Sequence, residues 1–327
     1  MRVTDETLDA LDALANAALV LWDLPPDARA HRINVSENVT YLVQGGAVKA
    51  VLRLHRPAYH TRRAIECELA WANAVREAGA VRTPRALAGR DGVVVQVANA
   101  PGMSRFAVLF DFVDGSAPDE SQDLTGGFTQ LGAIAARLHQ HSRAWWRPEP
   151  FERLRWDADA VFGPNATWGN WRDAPNMTGQ IADVLERVQE LICRRLTAFG
   201  QEPDRFGLIH ADMRLANLLI DTAGTVVIDF DDCGFGWFLY DFAAAISFIE
   251  DHPQVPALRA AWIDGYRQVQ PLSDTDVAEI DTFVMLRRMA LLAWIGSHIE
   301  APEPQAMAPH FAQGTAMLGQ AYLDRMG

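Results

Sequence analysis

HADMRLAN at 210–217, LLI at 218–220, DTAG at 221–224 and TVVIDF at 225–230 form the stretch from which the rest of this chain is read. Leu218 to Ile220 and Thr225 to Phe230 are runs of β-forming residues. Asp221 to Gly224, with Asp first and Gly last, has turn chemistry, so the three pieces predict a hairpin. His210, Asp212 and Asn217 stand in the loop before it, and Asp229 stands at its end. An Asp and an Asn five residues apart, with a further Asp after the next hairpin, bring three oxygen-bearing side chains to one end of that hairpin. Hard oxygen ligands suit Mg²⁺, which also takes ligands from phosphate groups.

Working outward, the first part of the chain reads as strands around one helix. Leu8, Leu11, Ala15 and Ala18 have helical spacing and predict an opening amphipathic helix. After Pro25 and Pro26, Val39, Tyr41 and Val43 alternate with Thr40 and Leu42. Gly45 and Gly46 turn the chain, and Val48 to Leu54 follows as a second strand. Ile65, Leu69, Ala72 and Val75 predict a helix within 61–78, ended by Gly79. A second hairpin is expected from 93–97 and 107–113, with Asn99, Pro101 and Gly102 between. Beyond Gly115 the pattern turns helical: Leu131, Ile134, Ala135 and Leu138 mark one helix ending near His139, and 181–199 marks another. Residues 162–177 show no period and read as a loop. From Tyr240 the chain is helical again, with Ser273 and Asp276 spaced as a capping box.

Composition narrows the function class. The 327 residues suffice for two lobes, each with its own core, and 49% apolar content supports globular folding. Against 29 Lys and Arg there are 42 Asp and Glu, a net charge of −13, which disfavours nucleic acid and anionic membranes as partners. The same excess would attract a cationic substrate. Cys67, Cys193 and Cys233 are scattered, with no CxxC spacing, so neither a disulfide framework nor a zinc site is expected and a reducing cytoplasm fits. Asp5, Glu6, Asp9 and Asp12 stand where an export leader is basic, and no apolar run approaches about 18 residues, so no leader and no membrane span is expected.

His210, Asp212, Asn217 and Asp229 reproduce the HxDxxxxN loop and the metal-binding Asp of kinases. The loop pattern alone arises by chance in roughly one chain in a hundred of this length, so the hairpin and Asp229 behind it supply the specificity. With them the chain resembles the aminoglycoside phosphotransferase and choline kinase-like superfamily, including its homoserine kinase-like and stress-response-kinase-like branches. The likeness runs through ENVTY at 37–41, VLRL at 51–54, ECELAW at 66–71, LFDFVDG at 109–115, LGAIAARLH at 131–139, VIDFDD at 227–232 and YDFA at 240–243.

That resemblance implies an α+β, protein-kinase-like fold with two lobes. The first, at 1–109, would hold an antiparallel sheet and its helix and bind nucleotide; 110–115 would be the linker, and 116–327 a larger, mainly helical lobe for catalysis and substrate. It implies an enzyme that uses ATP and Mg²⁺ to phosphorylate a hydroxyl. Asp212 would be the catalytic base, and His210 would orient the loop by hydrogen bonding. Arg214 matches the position of the lysine that faces the γ-phosphate in protein kinases, a solvated loop arginine being the plainer reading. Asn217 and Asp229 would hold Mg²⁺, while Asp231 and Asp232 would either join the metal or cap the next turn. Asp241 would support the catalytic loop or a helix N-terminus. Arg53 takes the place of the strand lysine that touches ATP phosphates, with Glu68 as its partner and Glu66 as the alternative.

Adenine would rest on the linker backbone around Asp111 and Val113. In place of a GxGxxG loop the first hairpin offers Ser36, Glu37 and Asn38, so Ser36 and Asn38 would cover the phosphates. The acceptor is expected to be a small molecule bearing an amine, because only Phe230 to Tyr240 separate Asp229 from Asp241 and leave no room for a peptide platform. Its pocket would be walled by helices around Trp262, Arg287 and Trp294, with Trp168 and Trp171 on a lid. A serine/threonine protein kinase of the stress-response type and a nucleotide-binding pseudokinase are the two competing readings.

Overall fold

The computed structural model describes residues 5–35 and 38–327, which leaves Ser36 outside the described residues. The chain divides into two compact units. One comprises the residues up to Ala78 together with Arg82–Asp114 and Arg147–Glu152, and the other Gly79–Val81, Gly115–Trp146 and Arg153–Gly327.

Unit 1 runs α1 (Asp5–Ala18), β1 (Arg29–Val35), β2 (Val39–Gly45), β3 (Val48–Leu54), α2 (Arg62–Glu77), β4 (Ala86–Leu87), β5 (Gln96–Ala100) and β6 (Met103–Asp111). Its strands make one sheet in the order β1-β2-β3-β6-β4, with β5 also paired to β6. All pairings are antiparallel. Alternation along each strand splits the apolar side chains between the two faces. Tyr41, Val43, Leu52, Leu54, Ala107 and Leu109 join α1 and Trp22 in one core, while Val108 joins Ile65 and Leu69 of α2 and Val95 in another. The sheet is therefore covered by a helix on each side.

Local chemistry sets the ends of these elements. Oγ1 of Thr61 accepts the N–H of Ala64 at 3.0 Å and caps α2, and Gly79 follows the helix at φ +64°. Two differences from the sequence expectation stand out. Strand β1 is new: only Ala30 of it is fully buried, so it lacks the alternation that marks a strand facing a core. The second hairpin is also tighter than expected, with Ala100 opposite Met103 across a turn at Pro101 and Gly102.

Unit 2 runs α3 (Thr125–Ala144), β7 (Leu154–Trp156), α4 (Ala158–Phe162), α5 (Gly179–Phe199), β8 (Phe206–Ile209), β9 (Leu218–Asp221), β10 (Gly224–Val227), β11 (Gly234–Trp237), α6 (Tyr240–Ala245), α7 (Val255–Arg267), α8 (Asp274–Val277), α9 (Ile280–Ser297) and α10 (Pro302–Met326). Helix α3 extends well beyond 131–139, because Gly126 and Gly127 at its start and polar residues after His139 hide its period. It crosses α7 at backbone contact: a Cβ on Gly132 would lie 2.0 Å from the Trp262 carbonyl oxygen, and one on Gly265 1.8 Å from that of Thr129. Trp262 is thus fixed in the helix crossing and walls no acceptor pocket, which corrects that expectation.

Two small sheets carry the loop singled out first. β9 and β10 form the expected hairpin, with Asp221 Oδ1 accepting the N–H of Ala223 at 2.8 Å in the turn. The second sheet, β7-β11-β8, was not foreseen. β11 pairs antiparallel with β8 and parallel with β7. Since β8 leads into the 210–217 loop and β11 follows Asp229, their pairing holds both segments in one frame.

Candidate active site

The loop after β8 is held from beneath by a buried carboxylate. Asp241, in the first turn of α6, accepts the N–H of Ala211 at 2.7 Å on Oδ1 and that of His210 at 3.3 Å on Oδ2. Its Oδ2 also meets Nε2 of His139 at 2.8 Å, whose Nδ1 lies 3.0 Å from the Tyr266 hydroxyl. Ala211 takes φ +67° and Asp229 φ +61°. Such left-handed backbone in non-glycine residues persists where the surroundings over-determine it, and it concentrates at functional sites.

His210 is fully buried, its ring tilted against that of Phe230 at 4.5 Å. Its Nδ1 accepts the N–H of Asp212 at 3.2 Å, so Nε2 carries the hydrogen that goes to the Ile228 carbonyl at 3.2 Å. Burial pushes its pKa below the ordinary imidazole value, against the pull of Asp241, Asp212 and Asp229. The side chain bridges the loop to Ile228, just past β10 and next to Asp229, a positioning geometry.

Asp212 is gripped on both oxygens. Oδ1 accepts Nη2 of Arg287 at 2.5 Å, and Oδ2 accepts Nδ2 of Asn217 at 2.7 Å. The same Nδ2 donates to the Asp212 carbonyl at 2.9 Å. Both partners are acceptors, which fixes the amide orientation of Asn217 and turns its Oδ1 away from Asp212. Backbone bonding holds Asp229 nearby, because the N–H of Ile228 donates to the Asn217 carbonyl at 2.9 Å.

Among the described residues no group of three or more His, Cys, Asp and Glu could hold a metal ion unaided. Asn217 and Asp229 nevertheless fit a hard cation of the Mg²⁺ kind, which keeps several waters and takes one or two protein oxygens beside substrate phosphates. Asp231 and Asp232 are held through their carbonyls: Arg153 donates to that of Asp231, and Nε1 of Trp156 to that of Asp232 at 2.8 Å.

Arg214 spans two carboxylates. Its guanidinium lies 2.5 Å from Glu303 and 3.6 Å from Asp212, over the ring of Phe248 at 5.6 Å. Burial works to lower its pKa, but Asp212, Glu303 and Asp229 outweigh that and the net shift is upward. It is a paired cation beside Asp212 rather than a solvated loop arginine.

Two aromatic expectations are corrected. Trp168 and Trp171 are buried, the first against Trp156 at 4.7 Å and the second with Nε1 donating to Gln189 at 2.8 Å, so they pack as walls and form no exposed lid. Trp294 is buried too, with His298 stacked on it at 5.6 Å. Arg287, expected only as a wall, is bonded to Asp212 from 75 positions away, and nothing in the local sequence marks it.

In unit 1 the expected pair forms. Nη2 of Arg53 lies 2.6 Å from Oε1 of Glu68, both side chains buried, with Phe110 under the guanidinium at 5.1 Å. Glu66 pairs instead with Arg62 and Arg63 at 3.6 Å. Asn38 is buried, and its Oδ1 accepts the N–H of Arg56 at 3.0 Å. The N–H of Asp111 already donates to the Arg85 carbonyl at 2.9 Å, and its Oδ1 accepts the Arg85 N–H at 2.6 Å. Adenine would therefore find no free N–H at Asp111; Val113 lies past the end of β6, half-buried. A cavity of about 430 Å³ between α2, β4 and Val93–Val95 is lined by Phe110 but not by Arg53, Asp111 or Val113.

Comparison with known proteins gives the family. The model of the phosphotransferase enzyme family matches residues 29–277. The solved structure of the microcompartment-associated aminopropanol kinase is 42% identical, covers 96% of this chain and 98% of its own, and superposes with a TM-score of 0.89. The amicoumacin kinase hAmiN, solved with AMP-PNP, Ca²⁺ and Ami, has a TM-score of 0.76 over 96% of this chain and 94% of its own at 19% identity, a likeness of fold. The amicoumacin kinase of Bacillus subtilis is 23% identical over 215 residues, 63% of this chain and 60% of that protein. This chain is a kinase of protein-kinase-like α+β fold, and it belongs to the phosphotransferase enzyme family.

Proposed function

We propose that the protein transfers the γ-phosphoryl group of ATP to the hydroxyl of a small amino alcohol of about the size of aminopropanol. The observation that carries this is the grip on Asp212: a carboxylate set between Asn217 and Arg287, with Asp229 tied to Asn217 through Ile228. In this reading unit 2 holds the transfer residues, and Arg53 with Glu68 in unit 1 contacts the nucleotide phosphates.

The acceptor oxygen bonds to the γ-phosphorus while the bond to the bridging oxygen breaks, its electron pair leaving on ADP. The hydroxyl proton passes to Asp212. Asn217 and Asp229 would hold Mg²⁺, which supplies neutralisation of phosphate charge. Arg214 lies beside Asp212 as a second cation for the transferring group.

Two further observations support a small acceptor. The aminopropanol kinase is the relative with 42% identity across almost the whole chain. In the segment between Asp229 and Asp241, residues Phe230, Asp231, Cys233, Trp237, Phe238 and Leu239 are all buried and β11 lies within a sheet, so the stretch presents no docking platform for a peptide. Cys67, Cys193 and Cys233 are in no disulfide, which accords with a reducing cytoplasm.

The test is ATP consumption with Mg²⁺ against aminopropanol, ethanolamine, choline, homoserine and an aminoglycoside, with radiolabelled ATP offered in parallel to a protein extract. Phosphorylation of an amino alcohol is expected. Label on protein alone would overturn the proposal.

A further inference from the structure

Helix α9 is buried from Ile280 to Ile295 around most of its circumference, and among these residues stands Arg287, 2% exposed. A buried guanidinium is costly unless paired and hydrogen-bonded, and an apolar side chain of similar volume would serve packing as well or better. Its presence is best explained by what its charge and shape do for its partners.

Those partners hold it rigidly. Nε donates to Oγ of Ser247 at 3.0 Å, and Nη2 to Oδ1 of Asp212 at 2.5 Å. The rings of Trp168 and Tyr240 flank the guanidinium at 5.2 and 5.8 Å. Burial works to lower the Arg287 pKa, the carboxylates of Asp212 and Asp232 are among the groups that raise it, and the net shift is upward. The same burial pushes the Tyr240 phenol up to about 12, so it faces Arg287 as a neutral group at ordinary pH. The guanidinium is thus a fixed cation in a fixed orientation.

The geometry at Asp212 follows. A carboxylate offers about four lone-pair sites. Asn217 takes one on Oδ2 and Arg287 one on Oδ1. Gripped on one oxygen alone, the group could rotate about its bond to Cβ; gripped on both, its plane is set and the remaining lone pairs have determined directions. We propose that Arg287 is a positioning residue for phosphoryl transfer, fixing the carboxylate plane of Asp212 that receives the acceptor hydroxyl, with Ser247 steadying the guanidinium from behind. The inference rests on the reading of Asp212 as the base. Misplacement of a reacting group by about 1 Å can cost on the order of 10²-fold in rate, so the expected effect is on kcat. The KM for ATP should stay put, because the partners that hold Arg287, namely Ser247, Asp212, Trp168 and Tyr240, are not among the residues assigned to the nucleotide.

A double-mutant cycle tests this. Turnover of ATP with aminopropanol, and its hydrolysis without any acceptor, are measured for the wild type, Arg287→Met, Asp212→Asn and the double variant, with the ATP-induced rise in melting temperature as the check on folding. Arg287→Met should lower kcat by about 10- to 10²-fold at unchanged KM for ATP. The double variant should be no slower than Asp212→Asn, since a residue that acts through Asp212 has nothing left to position. Losses that multiply, or a normal Arg287→Met enzyme beside a crippled Asp212→Asn one, would overturn the inference and leave the base assignment standing. A near-normal Asp212→Asn enzyme would overturn both. Should Arg287→Met fail to fold, Ser247→Ala takes its place, with kcat expected to fall about 3- to 10-fold and again no further loss on the Asp212→Asn background; unchanged kcat would count as refutation.

Discussion

Oδ1 of Asp241 accepts the N–H of Ala211 at 2.7 Å, and Ala211 is held at φ +67°. One buried carboxylate thereby secures a strained residue next to Asp212, and its second oxygen serves His210 and His139. Replacing it strands several buried polar groups at once, at about 1–3 kcal/mol for each one left unsatisfied. Asp241→Ala is expected to lower stability by at least about 2 kcal/mol and to abolish turnover, read by denaturant unfolding and by the ATP assay. A variant with normal stability would show that the loop stands without this support.

Asp212→Asn keeps the size of the side chain and removes its charge. Phosphoryl transfer should fall by about 10²-fold or more, the loss expected for a positioned base, while ATP still binds. Single-turnover kinetics beside calorimetric ATP binding separates the two effects, and near-normal transfer would remove Asp212 from the base role.

Asp229→Ala deletes one of the two protein oxygens assigned to the metal. The concentration of Mg²⁺ needed for half-maximal turnover should rise by about tenfold or more, since few protein ligands remain to compensate. An unaltered Mg²⁺ titration would contradict the assignment.

Arg53→Ala removes the guanidinium that lies 2.6 Å from the buried Glu68 carboxylate. Breaking such a pair costs about 3–5 kcal/mol, and the KM for ATP should rise with it because phosphate charge is present in both ground and transition states. A destabilised variant with unchanged KM would show that the pair serves folding alone.

His210 supplies a pH dependence whose sign follows from its burial. Its pKa is pushed below the ordinary 6.5, so below that pH the unfolded chain takes up a proton that the folded chain refuses. Stability is therefore fully present above 6.5 and declines as pH falls toward the lowered value. His141, also pushed down by burial, acts in the same direction. Urea unfolding between about pH 7 and pH 5.5 should show a falling midpoint, with a shallower fall in His210→Gln. Parallel curves for the two proteins would exclude His210 as a source.

The candidate site was legible to the extent that its chemistry is local. Asp212, Asn217 and Asp229 lie within one loop and one hairpin, where turn residues and strand runs dictate the backbone. The bond from Asn217 to Asp212 spans five positions and needs nothing from elsewhere. Arg53 and Glu68, 15 positions apart, were named through the family resemblance of VLRL and ECELAW, and their bond ties β3 to α2.

What escaped the sequence reading depends on partners far along the chain. β11 is a four-residue strand whose identity comes from β8 and β7 on either side, and β1 is an edge strand with little apolar face. Trp168, Trp171 and Trp262 look alike in sequence to rings that receive a ligand, and only close packing decides that they are walls and crossings. The pairing of Arg287 with Asp212 is the plainest case: a cation on an otherwise apolar helix has no sequence signal for its counter-charge, and the fold alone brings the two together. By itself, then, the sequence determined the 210–217 loop and its hairpin, because these rest on short-range hydrogen bonding and alternation, and its family resemblance supplied the class of chemistry. Which residues hold Asp212 in place was decided by the tertiary structure, because burying a charge compels a partner without naming where along the chain that partner lies.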